Sequence, residues 1–460
     1  MARHPSIRTR LCGFLLALTF FTVPGLATDF DPNDPKAVVD TFFDLASRNP
    51  DAHATAAENL AAHWHPGFTA MVLDMGHLSS PDVRKRLFDF LEKQTEQDFG
   101  FDFDRWLQWV WAQPHRPHPH YPHFKSELYR LIDPRFGGYF ATDRKATIRL
   151  DEVRWGGVHQ DGIPPLRSPV MLDAEDADYL HDSHIVFGLE VNGDVRAYPK
   201  RILAWHEMFT DTVGGVPVAG VYCTLCGTMI LYETTHGEVE HRLGTSGFLY
   251  RSNKLMYDAE TQSLWSTIEG RPVIGPLVGQ GIELPVRSVV TTTWGEWRKL
   301  HPKTKVLSLD TGHERDYSEG AAYREYFATD TLMFTVPELD RRLANKAEVL
   351  ALDFDRGRSQ VLAISSKFLR KHPVHHDRQA TKDFVVLTDK SGAHRVFVSD
   401  GVRFESWNRR DKAIDSNGDT WRVTEQRLEA EDGRTLERLP AHRAFWFGWY
   451  SAHPETRLVQ

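Results

Sequence analysis

An internal repeat constrains the fold of this chain more than any other feature of its sequence. The pattern W-x-x-W-x-x-x-H-P-x-T occurs twice, with its histidine at His301 and at His453, and its five identities stand at one constant offset. Shorter matches between the same two stretches follow in the same order. A shared order of matches is typical of a duplicated structural unit. We therefore predict two copies of one α+β unit, over about 183–309 and 346–460, packed around a pseudo-twofold axis.

The secondary-structure pattern changes along the chain. Residues 32–132 carry apolar side chains at helical spacing, whereas short β-type runs, separated by turn signals such as Asn192-Gly193, begin near Thr147. These patterns predict the fold class α+β, with two tandem copies of a mainly antiparallel β unit with few helices after an N-terminal helical region. The predicted domains are the helical region 32–132, a first repeat unit over 147–345 that contains two cysteines, and a second, cysteine-less unit over 346–460.

The first 27 residues predict a secretory signal peptide. Basic residues precede an apolar run from Leu11 to Val23 that is too short to span a bilayer, and Gly25-Leu26-Ala27 is a small-residue cleavage pattern. We expect cleavage near Ala27 and a periplasmic or secreted mature protein. No transmembrane span is predicted after the signal peptide.

The composition and charge of the chain restrict its partners. Of its 460 residues, 41% are hydrophobic and 26% are charged, which is typical of a globular protein. The formal net charge is −8, whereas a general nucleic-acid binder normally presents a basic face. The composition therefore argues against nucleic acid as a partner and leaves a small molecule or another protein open.

Cys223 and Cys226 lie at the tip of a predicted β-hairpin. Residues 218–233 read VAGVYCTLCGTMILYE, that is, a strand, the motif C-x-x-C-G and a second strand, with Gly227 supplying the turn. The third cysteine, Cys12, belongs to the predicted signal peptide. A C-x-x-C pair can be half of a metal site, a redox dithiol or a structural disulfide, and the spacing alone does not separate these uses.

The leading hypothesis is a zinc or copper site at this hairpin. The thiolates of Cys223 and Cys226 would supply two soft ligands, which suit Zn(II) or Cu(I). A closed zinc site has four ligands, and the nearest candidates upstream are His206 and Glu207. A closed shell would be structural, whereas an open coordination position would indicate catalysis or metal handling.

Further residues are candidates for the surroundings of the hairpin. Asp211 and His241 lie near enough in sequence to complete or tune a ligand shell. Ser246 lacks the G-x-S-x-G context of a nucleophile and is interpreted as a turn residue, but the stretch from Thr245 to Tyr250 can line a pocket beside the hairpin. The His- and Pro-rich stretch 114–123 is interpreted as a solvated linker.

Two alternatives to the metal site stay open. One is a thiol–disulfide redox protein with a reversible disulfide, and the other is a non-enzymatic envelope binding module in which a disulfide only staples the fold. The repeat helps to weigh the residues, because those present in both copies are better explained by the fold. The second copy carries Thr388-Asp389-Lys390 at the corresponding tip, without cysteine. Cys223, Cys226 and Glu207 therefore stay candidates for chemistry.

Several separate motifs also resemble those of a known family. They include Arg196-Ala197-Tyr198-Pro199, Trp205-His206-Glu207, Tyr222-Cys223-Thr-Leu-Cys226-Gly227-Thr228 and Phe445-Trp446-Phe447. These motifs are similar to those of an uncharacterised bacterial and archaeal family, catalogued as domain of unknown function 3179, over roughly residues 120–460. The resemblance implies no function, because none is assigned to the family. Two positions depart from the usual pattern: Thr224 stands in place of Pro, and Thr210 in place of Asn.

Overall fold

The computed structural model describes residues 30–355 and 359–460. The predicted signal peptide, residues 1–27, lies outside the described residues. The chain forms two compact units. The first comprises residues up to Asp143 together with Trp155–His159, and the second comprises Arg144–Arg154 and Gln160–Gln460.

The first unit is helical, which confirms the predicted N-terminal helical region. Proline lies in the first turn of five of its helices, where its fixed φ favours helix initiation and its missing N–H costs no bond. The interpretation of 114–123 as a solvated linker holds only in part, because 113–120 is irregular but a helix begins at Tyr121 and His118 is only 9% exposed. Helix also continues beyond residue 132. The helices are α1 (Pro35–Leu45), α2 (Pro50–Ala62), α3 (Thr69–Leu78), α4 (Pro81–Thr95), α5 (Phe103–Ala112), α6 (Tyr121–Arg130) and α7 (Pro134–Tyr139).

The remainder of the chain is rich in short strands with few helices. Its first half contains β1 (Val153–Trp155), β2 (Leu166–Arg167), β3 (Met171–Asp173), β4 (Ile185–Val191), β5 (Asp194–Pro199), α8 (Lys200–His206), β6 (Met208–Val213), β7 (Val216–Cys223), β8 (Thr228–Glu233), β9 (Thr235–His236), β10 (Val239–Glu240), β11 (Leu243–Tyr250), β12 (Asn253–Asp258), β13 (Leu264–Ser266), β14 (Pro272–Ile274), β15 (Val286–Arg287), β16 (Val290–Thr293), α9 (Trp294–Leu300) and β17 (Lys305–Leu307).

Its second half contains α10 (Arg324–Phe327), β18 (Glu348–Asp353), β19 (Val361–Ser365), α11 (Ser366–Lys371), β20 (Val374–Gln379), β21 (Lys382–Thr388), β22 (His394–Val398), β23 (Phe404–Trp407), β24 (Lys412–Asp415), β25 (Thr420–Val423), β26 (Arg427–Ala430), β27 (Thr435–Leu439), β28 (His442–Phe445), α12 (Trp446–Ala452) and β29 (Arg457–Val459).

These strands form sheets that are mostly antiparallel, which confirms the α+β class. The sheets of the first half have the strand orders β16-β4-β5-β17-β3, β15-β8-β7-β6-β2, β1-β11-β12-β13-β14 and β10-β9. Those of the second half are β28-β18-β19-β29 and β20-β21-β22-β27-β26-β25-β24-β23. The parallel neighbours are β5 with β17, β19 with β29 and β2 with β6. None of the helices in the described ranges has the length and apolar character that crossing a bilayer requires.

The linker segment, residues 308–347, runs from β17 to β18. All of it is described, and α10 is its only regular element. Connections of this length without secondary structure are uncommon in compact domains and are often functional loops such as active-site covers. Contacts between this segment and the cysteine hairpin therefore bear on the function of the protein.

Candidate functional site

The cysteine hairpin forms as the sequence predicts, and its cysteines are joined. β7 ends at Cys223, which pairs with Thr228 at the start of β8. The intervening loop turns at Gly227, whose φ of 62° is a conformation that glycine adopts without strain. The two sulfur atoms lie 2.08 Å apart and form a disulfide bond. The side chains of Cys223 and Cys226 are 2% and 0% exposed.

The linker segment covers this disulfide. The apolar cluster around the two sulfurs contains Leu225, Leu249 and Tyr326, with Tyr323, Phe327, Phe334 and Phe445 packed against it. Four of these side chains belong to the linker segment. The Tyr326 hydroxyl also donates to the carbonyl oxygen of Leu225, inside the C-x-x-C loop, at 2.7 Å. An external thiol therefore has no direct path to either sulfur while the cover is in place.

A buried ion pair adjoins the disulfide loop. The ammonium of Lys254 lies 3.1 Å from Glu207 Oε2 and also donates to the Glu207 carbonyl at 3.2 Å. Glu207 Oε1 accepts from the Thr224 hydroxyl at 2.6 Å and from the Tyr323 hydroxyl at 3.0 Å. Glu207 and Lys254 are only 7% and 5% exposed. The carboxylate thus joins the C-x-x-C loop to the cover and to a buried cation.

Burial sets the electrostatics of this group. It lowers the pKa of Lys254, because desolvation disfavours the ammonium, and the carboxylate of Glu207 opposes that shift. Burial raises the pKa of Tyr323 well above its ordinary value, and Glu207 adds to the increase. Tyr323 therefore stays a neutral hydrogen-bond donor. Removing one partner of a buried ion pair typically costs about 3–5 kcal/mol, because the other charge stays buried alone.

The loop also distinguishes the two sulfurs. The backbone N–H of Cys226 donates to Cys223 Sγ at 3.4 Å. Hydrogen bonds to the ionised form lower a pKa, so the same N–H would favour a thiolate on Cys223 after reduction. The carbonyl of Cys226 accepts from the backbone N–H of Phe445 at 2.7 Å and from the Thr228 hydroxyl at 3.1 Å, which fixes the loop.

The positive φ angles near this group belong to helix ends and a tight turn. Glu207, at 55°, is the C-cap of α8, and Tyr323, at 56°, precedes α10. Arg251 and Ser252, at 48° and 64°, form the two-residue turn between β11 and β12, and such turns require positive φ at both positions.

His206 is not among the residues brought to the sulfurs. It is fully buried, its Nδ1 donates to the carbonyl of Pro164 at 2.8 Å, and its Nε2 accepts from the Tyr317 hydroxyl at 2.5 Å. Thr311 Oγ1 lies 2.7 Å from that hydroxyl and completes the chain. Burial lowers the pKa of His206 to about 4, so the ring is neutral. Both ring nitrogens are engaged by protein groups.

Asp211 and His241 also have other partners. Asp211 Oδ2 accepts from Arg196 at 2.5 Å and from the Tyr198 hydroxyl at 3.2 Å. His241 Nδ1 lies 3.1 Å from Asp258 Oδ2, and both side chains are buried. The first set of contacts joins β5 to β6, and the second joins the segment before β11 to the end of β12.

Ser246 and Tyr250 both lie on β11, the strand that contributes Leu249 to the cluster around the disulfide. The Ser246 hydroxyl donates to the carbonyl of Leu255 at 2.6 Å and accepts from the N–H of Phe248 at 3.0 Å, where the pairing of β11 with β12 is irregular. Ser246 thus lies at an irregularity inside a strand and not in the turn that its sequence context indicates. Tyr250 lines a cavity of about 540 Å³, which Lys254 also lines.

The predicted zinc or copper site stays a prediction. Of its proposed ligands, Cys223 and Cys226 are joined to each other, and Glu207 is paired with Lys254. Within residues 30–355 and 359–460, no three His, Cys, Asp or Glu side chains are arranged to hold a metal ion. A metal held by thiolates requires the reduced pair, which is a different state of the hairpin.

Sequence reasoning missed Lys254 and the cover. Lys254 carried a signal, because it is a lone cation in the apolar strand NKLMYD, and a charge in such a position is buried only with a partner. Tyr323, Tyr326 and Phe327 form an aromatic cluster in a stretch that otherwise reads as loop. Their contact with the C-x-x-C loop depends on long-range packing that one sequence does not show.

Comparisons with known proteins agree with the resemblance seen in the motifs. One family model matches residues 160–456, and its description reads protein of unknown function (DUF3179). The matched region contains the cysteine hairpin, the ion pair and the linker segment. No curated protein and no solved structure matches the chain.

Proposed function

This chain belongs to the DUF3179 family, whose description gives no function, and we propose that it is a thiol–disulfide exchange protein. Its reactive group is the Cys223–Cys226 pair. The observation that carries the proposal is the buried Glu207–Lys254 pair, which is hydrogen-bonded through Thr224 to the loop that holds the disulfide. Buried ionisable groups in one cluster are more frequent at reactive sites than elsewhere.

The chemistry explains why such a pair would be useful. A donor thiolate attacks Cys226 Sγ, which forms a mixed disulfide and releases Cys223 as a thiolate that the Cys226 N–H can stabilise. A second donor thiolate then attacks the donor sulfur of the mixed disulfide and releases Cys226, so that two thiols become one disulfide while the protein gains two electrons. The two new thiolates take up the protons that the donor thiols have lost. Glu207 and Lys254 can hold or pass on those protons beneath the cover.

Access requires movement of the linker segment. Two hydroxyls of the cover reach the site, Tyr323 to Glu207 and Tyr326 to the Leu225 carbonyl. The neutral bond from Tyr326 contributes about 0.5–1.5 kcal/mol, and the bond from Tyr323 to the Glu207 carboxylate contributes about 1.5–3 kcal/mol, so both can break in a reaction cycle. The cover would limit exchange to partners that displace it.

We also propose that the two β-rich halves are copies of one unit. The orders β16-β4-β5-β17 and β28-β18-β19-β29 correspond strand by strand, and each contains the same parallel neighbour. Trp297 donates to Thr304 at 3.0 Å, and Trp449 donates to Thr456 at 2.9 Å. If the halves are copies, the cysteine chemistry belongs to one of them alone.

Export is part of this proposal. The predicted signal peptide would place the protein in the periplasm or outside the cell, where a pair of thiols forms a disulfide unless a reductant or a metal holds it. Exchange in such a compartment requires a thiol partner, either a small molecule or another protein.

A metal site at the reduced hairpin is the second candidate. The N–H···S hydrogen bond from Cys226 to Cys223 and the glycine turn at Gly227 are features that a C-x-x-C-G metal knuckle also needs. The reduced pair would supply two thiolate ligands for zinc or copper. Metal content, measured on the oxidised and on the reduced protein, addresses this candidate directly.

The test measures reduction of the disulfide in the folded protein. Mature protein, purified without chelator, is equilibrated in glutathione redox buffers of increasing reducing power while free thiols and the folded signal are followed together. If the protein exchanges disulfides, two free thiols per chain should appear while the protein stays folded, and the rate of disulfide reduction should be lower in Glu207→Gln than in wild type. Glu233→Gln is the matched control, because Glu233 lies on the same hairpin but pairs with Arg287.

Two results would contradict the proposal. Thiols that appear only as the fold is lost would identify a structural disulfide. Equal reduction rates for wild type and Glu207→Gln, at every pH from 6 to 9, would remove the ion pair from the chemistry. Zinc or copper retained near one equivalent by the reduced protein alone would favour the metal site.

A further inference from the structure

Two side chains of α8 hold the cover, that is, the linker segment, by its main chain. The indole N–H of Trp205 donates to the carbonyl of Asp316 at 2.8 Å, and the guanidinium of Arg201 donates to the next carbonyl, that of Tyr317. Every residue of a polypeptide carries a main-chain acceptor of this kind. The end of α8 therefore binds a chain segment through groups that any polypeptide offers.

A third donor holds the other end of the same stretch. The hydroxyl of Ser252, in the turn between β11 and β12, donates to the carbonyl of Phe334 at 2.8 Å. Residues 316–334 contain one four-residue helix, α10, and no main-chain-to-main-chain hydrogen bond joins them to the rest of the described chain. The stretch can therefore leave its place without breaking a sheet.

Between these two ends, the side chains that the cover buries are aromatic. Tyr326 belongs to the cluster that contains both sulfurs, and Tyr323, Phe327 and Phe334 pack against that cluster. The ammonium of Lys200 lies 4.4 Å from the centre of the Phe327 ring, which is a cation–π contact. In peptide recognition, main-chain hydrogen bonds hold the segment, and pockets for its side chains provide the specificity. The contacts of the cover include both kinds.

The groove beneath residues 316–334 has the disulfide in its floor. Its other members are the donors Arg201, Trp205 and Ser252 and the apolar side chains Leu225, Leu249 and Phe445. A thiol in this groove would lie against the sulfurs, where exchange takes place. The cover has no cysteine, so it occupies the groove without reacting.

We propose that this groove binds a segment of another polypeptide, and that the thiol partner of Cys223–Cys226 is a cysteine with aromatic neighbours in that segment. The inference rests on the proposed exchange function and names its partner class. The cover takes the place of that segment, because it offers the same carbonyls and rings without a thiol. Two cysteine thiols of the partner become one disulfide while Cys223–Cys226 becomes two thiols, so electrons and protons balance.

A peptide with the sequence of the cover provides the probe. Residues 315–335 are synthesised with Tyr326→Cys, which places a thiol where the cover reaches the sulfur cluster. The control peptide also carries Tyr323→Ser and Phe327→Ser, so that it keeps the charge and the thiol but lacks two rings. Reduction of the disulfide in the folded protein is measured at equal thiolate concentrations of each peptide and of glutathione. The rate with the probe should saturate and, at low concentration, exceed the other two about tenfold, because the two rings add buried contact area.

Loosening the cover should increase the rate with every thiol. The protein variant Phe327→Ala loses a ring that packs against the sulfur cluster, so the probe and glutathione should both react several-fold faster than with wild type. Phe101→Ala is the matched control, because that ring is 61% exposed in the first unit and its loss should change neither rate.

Ser252→Ala separates the polypeptide site from a merely structural contact. The variant loses a donor to the cover, which should increase the rate with glutathione. It also loses the same donor to the bound peptide, which should weaken binding of the probe. The ratio of the probe rate to the glutathione rate should therefore fall about threefold, as the loss of one neutral hydrogen bond implies. A contact that only holds the cover would raise both rates equally and leave the ratio unchanged.

Two results would contradict the inference in different ways. Equal and unsaturable rates for the probe, the control peptide and glutathione would overturn the polypeptide site, while exchange itself stands. A disulfide that neither the peptides nor glutathione reduce in the folded protein, in wild type and in Phe327→Ala alike, would overturn the exchange function and this inference with it.

Discussion

Two β-hairpins have the same place in their sheets but close their tips by different means. β7 lies between β6 and β8, and β21 lies between β20 and β22. The last pairs before the two loops are Cys223 with Thr228 and Thr388 with His394. In the first hairpin a covalent bond joins the loop to the strand end. The second hairpin has no cysteine, and its loop is held by charges.

Asp389 organises the second tip. One carboxylate oxygen accepts from the N–H groups of Ser391 and Ala393, at 2.9 and 3.0 Å, and the other accepts from Arg395 at 3.0 Å. Arg395 in turn donates to Glu425 at 2.6 Å, and all three charged side chains are buried. Burial acts to raise the pKa of Glu425, but Arg395 and the other donors around it hold that pKa well below its ordinary value.

The difference shows which tip can carry chemistry. Both tips are fixed by buried groups, so rigidity alone does not require a disulfide. The charge network cannot be oxidised or reduced, whereas two electrons reduce the disulfide of the first tip to two thiols. Both tips adjoin buried ion pairs, but the disulfide and the cover formed by the linker segment belong to the first tip. The cover is difficult to explain as support, since the charge network holds the second tip.

Breaking the charge network should have the largest effect on stability. Arg395→Met leaves Asp389 and Glu425 buried without their shared cation, which is expected to lower the free energy of unfolding by about 3–5 kcal/mol. Urea unfolding measures the change. Arg378→Met is the control, because that side chain is 68% exposed and its loss should cost less than about 0.5 kcal/mol. A loss below 1 kcal/mol for Arg395→Met would mean that charge does not hold the second tip.

Removing the disulfide should cost less. The bond closes a very short loop, for which the chain-entropy estimate is only about 2 kcal/mol. Urea unfolding of the double variant Cys223→Ser, Cys226→Ser, beside wild type in excess reductant, measures it. Similar losses for the variant and for the reduced protein would show that the cost belongs to the bond itself. A loss of more than about 4 kcal/mol in the free energy of unfolding of both proteins would favour a structural disulfide over an exchange site.

The sequence predicts the cysteine hairpin well because its signals are local, but it leaves the state of the two cysteines open. Apolar runs indicate the strands, and Gly227 indicates the turn. The same holds for the helical region, where proline and helical spacing coincide. The repeat motif likewise located Trp297 and Trp449, whose contacts with Thr304 and Thr456 correspond.

The surroundings of the disulfide could not be predicted in the same way. Glu207 was predicted as a metal ligand, whereas in the structure it pairs with Lys254, which lies on a strand that follows later in the chain. His206 adjoins Glu207 in sequence, yet the helix end directs it to Pro164 and Tyr317 instead. Contacts between distant segments depend on the global packing, and neither spacing nor composition contains that information.

The smallest expected effect concerns His206 and the pH dependence of the free energy of unfolding. Burial lowers its pKa to about 4 in the folded protein, against about 6.5 in an unfolded chain. Since the unfolded chain binds the proton first, the stability linked to this histidine is present above pH 6.5 and is lost as the pH falls from 6.5 toward 4. Between pH 7 and pH 5 this amounts to about 2 kcal/mol at 1.36 kcal/mol per pKa unit. Urea unfolding at the two pH values should therefore show a decrease in the free energy of unfolding that is about 2 kcal/mol smaller in His206→Gln than in wild type.

The matched control is His372→Gln, at the exposed end of α11, where the decrease should equal that of wild type. An unchanged pH dependence in His206→Gln would show that this ring is protonated or solvated in the folded protein, and the buried chain from Thr311 to Pro164 would then have to be revised.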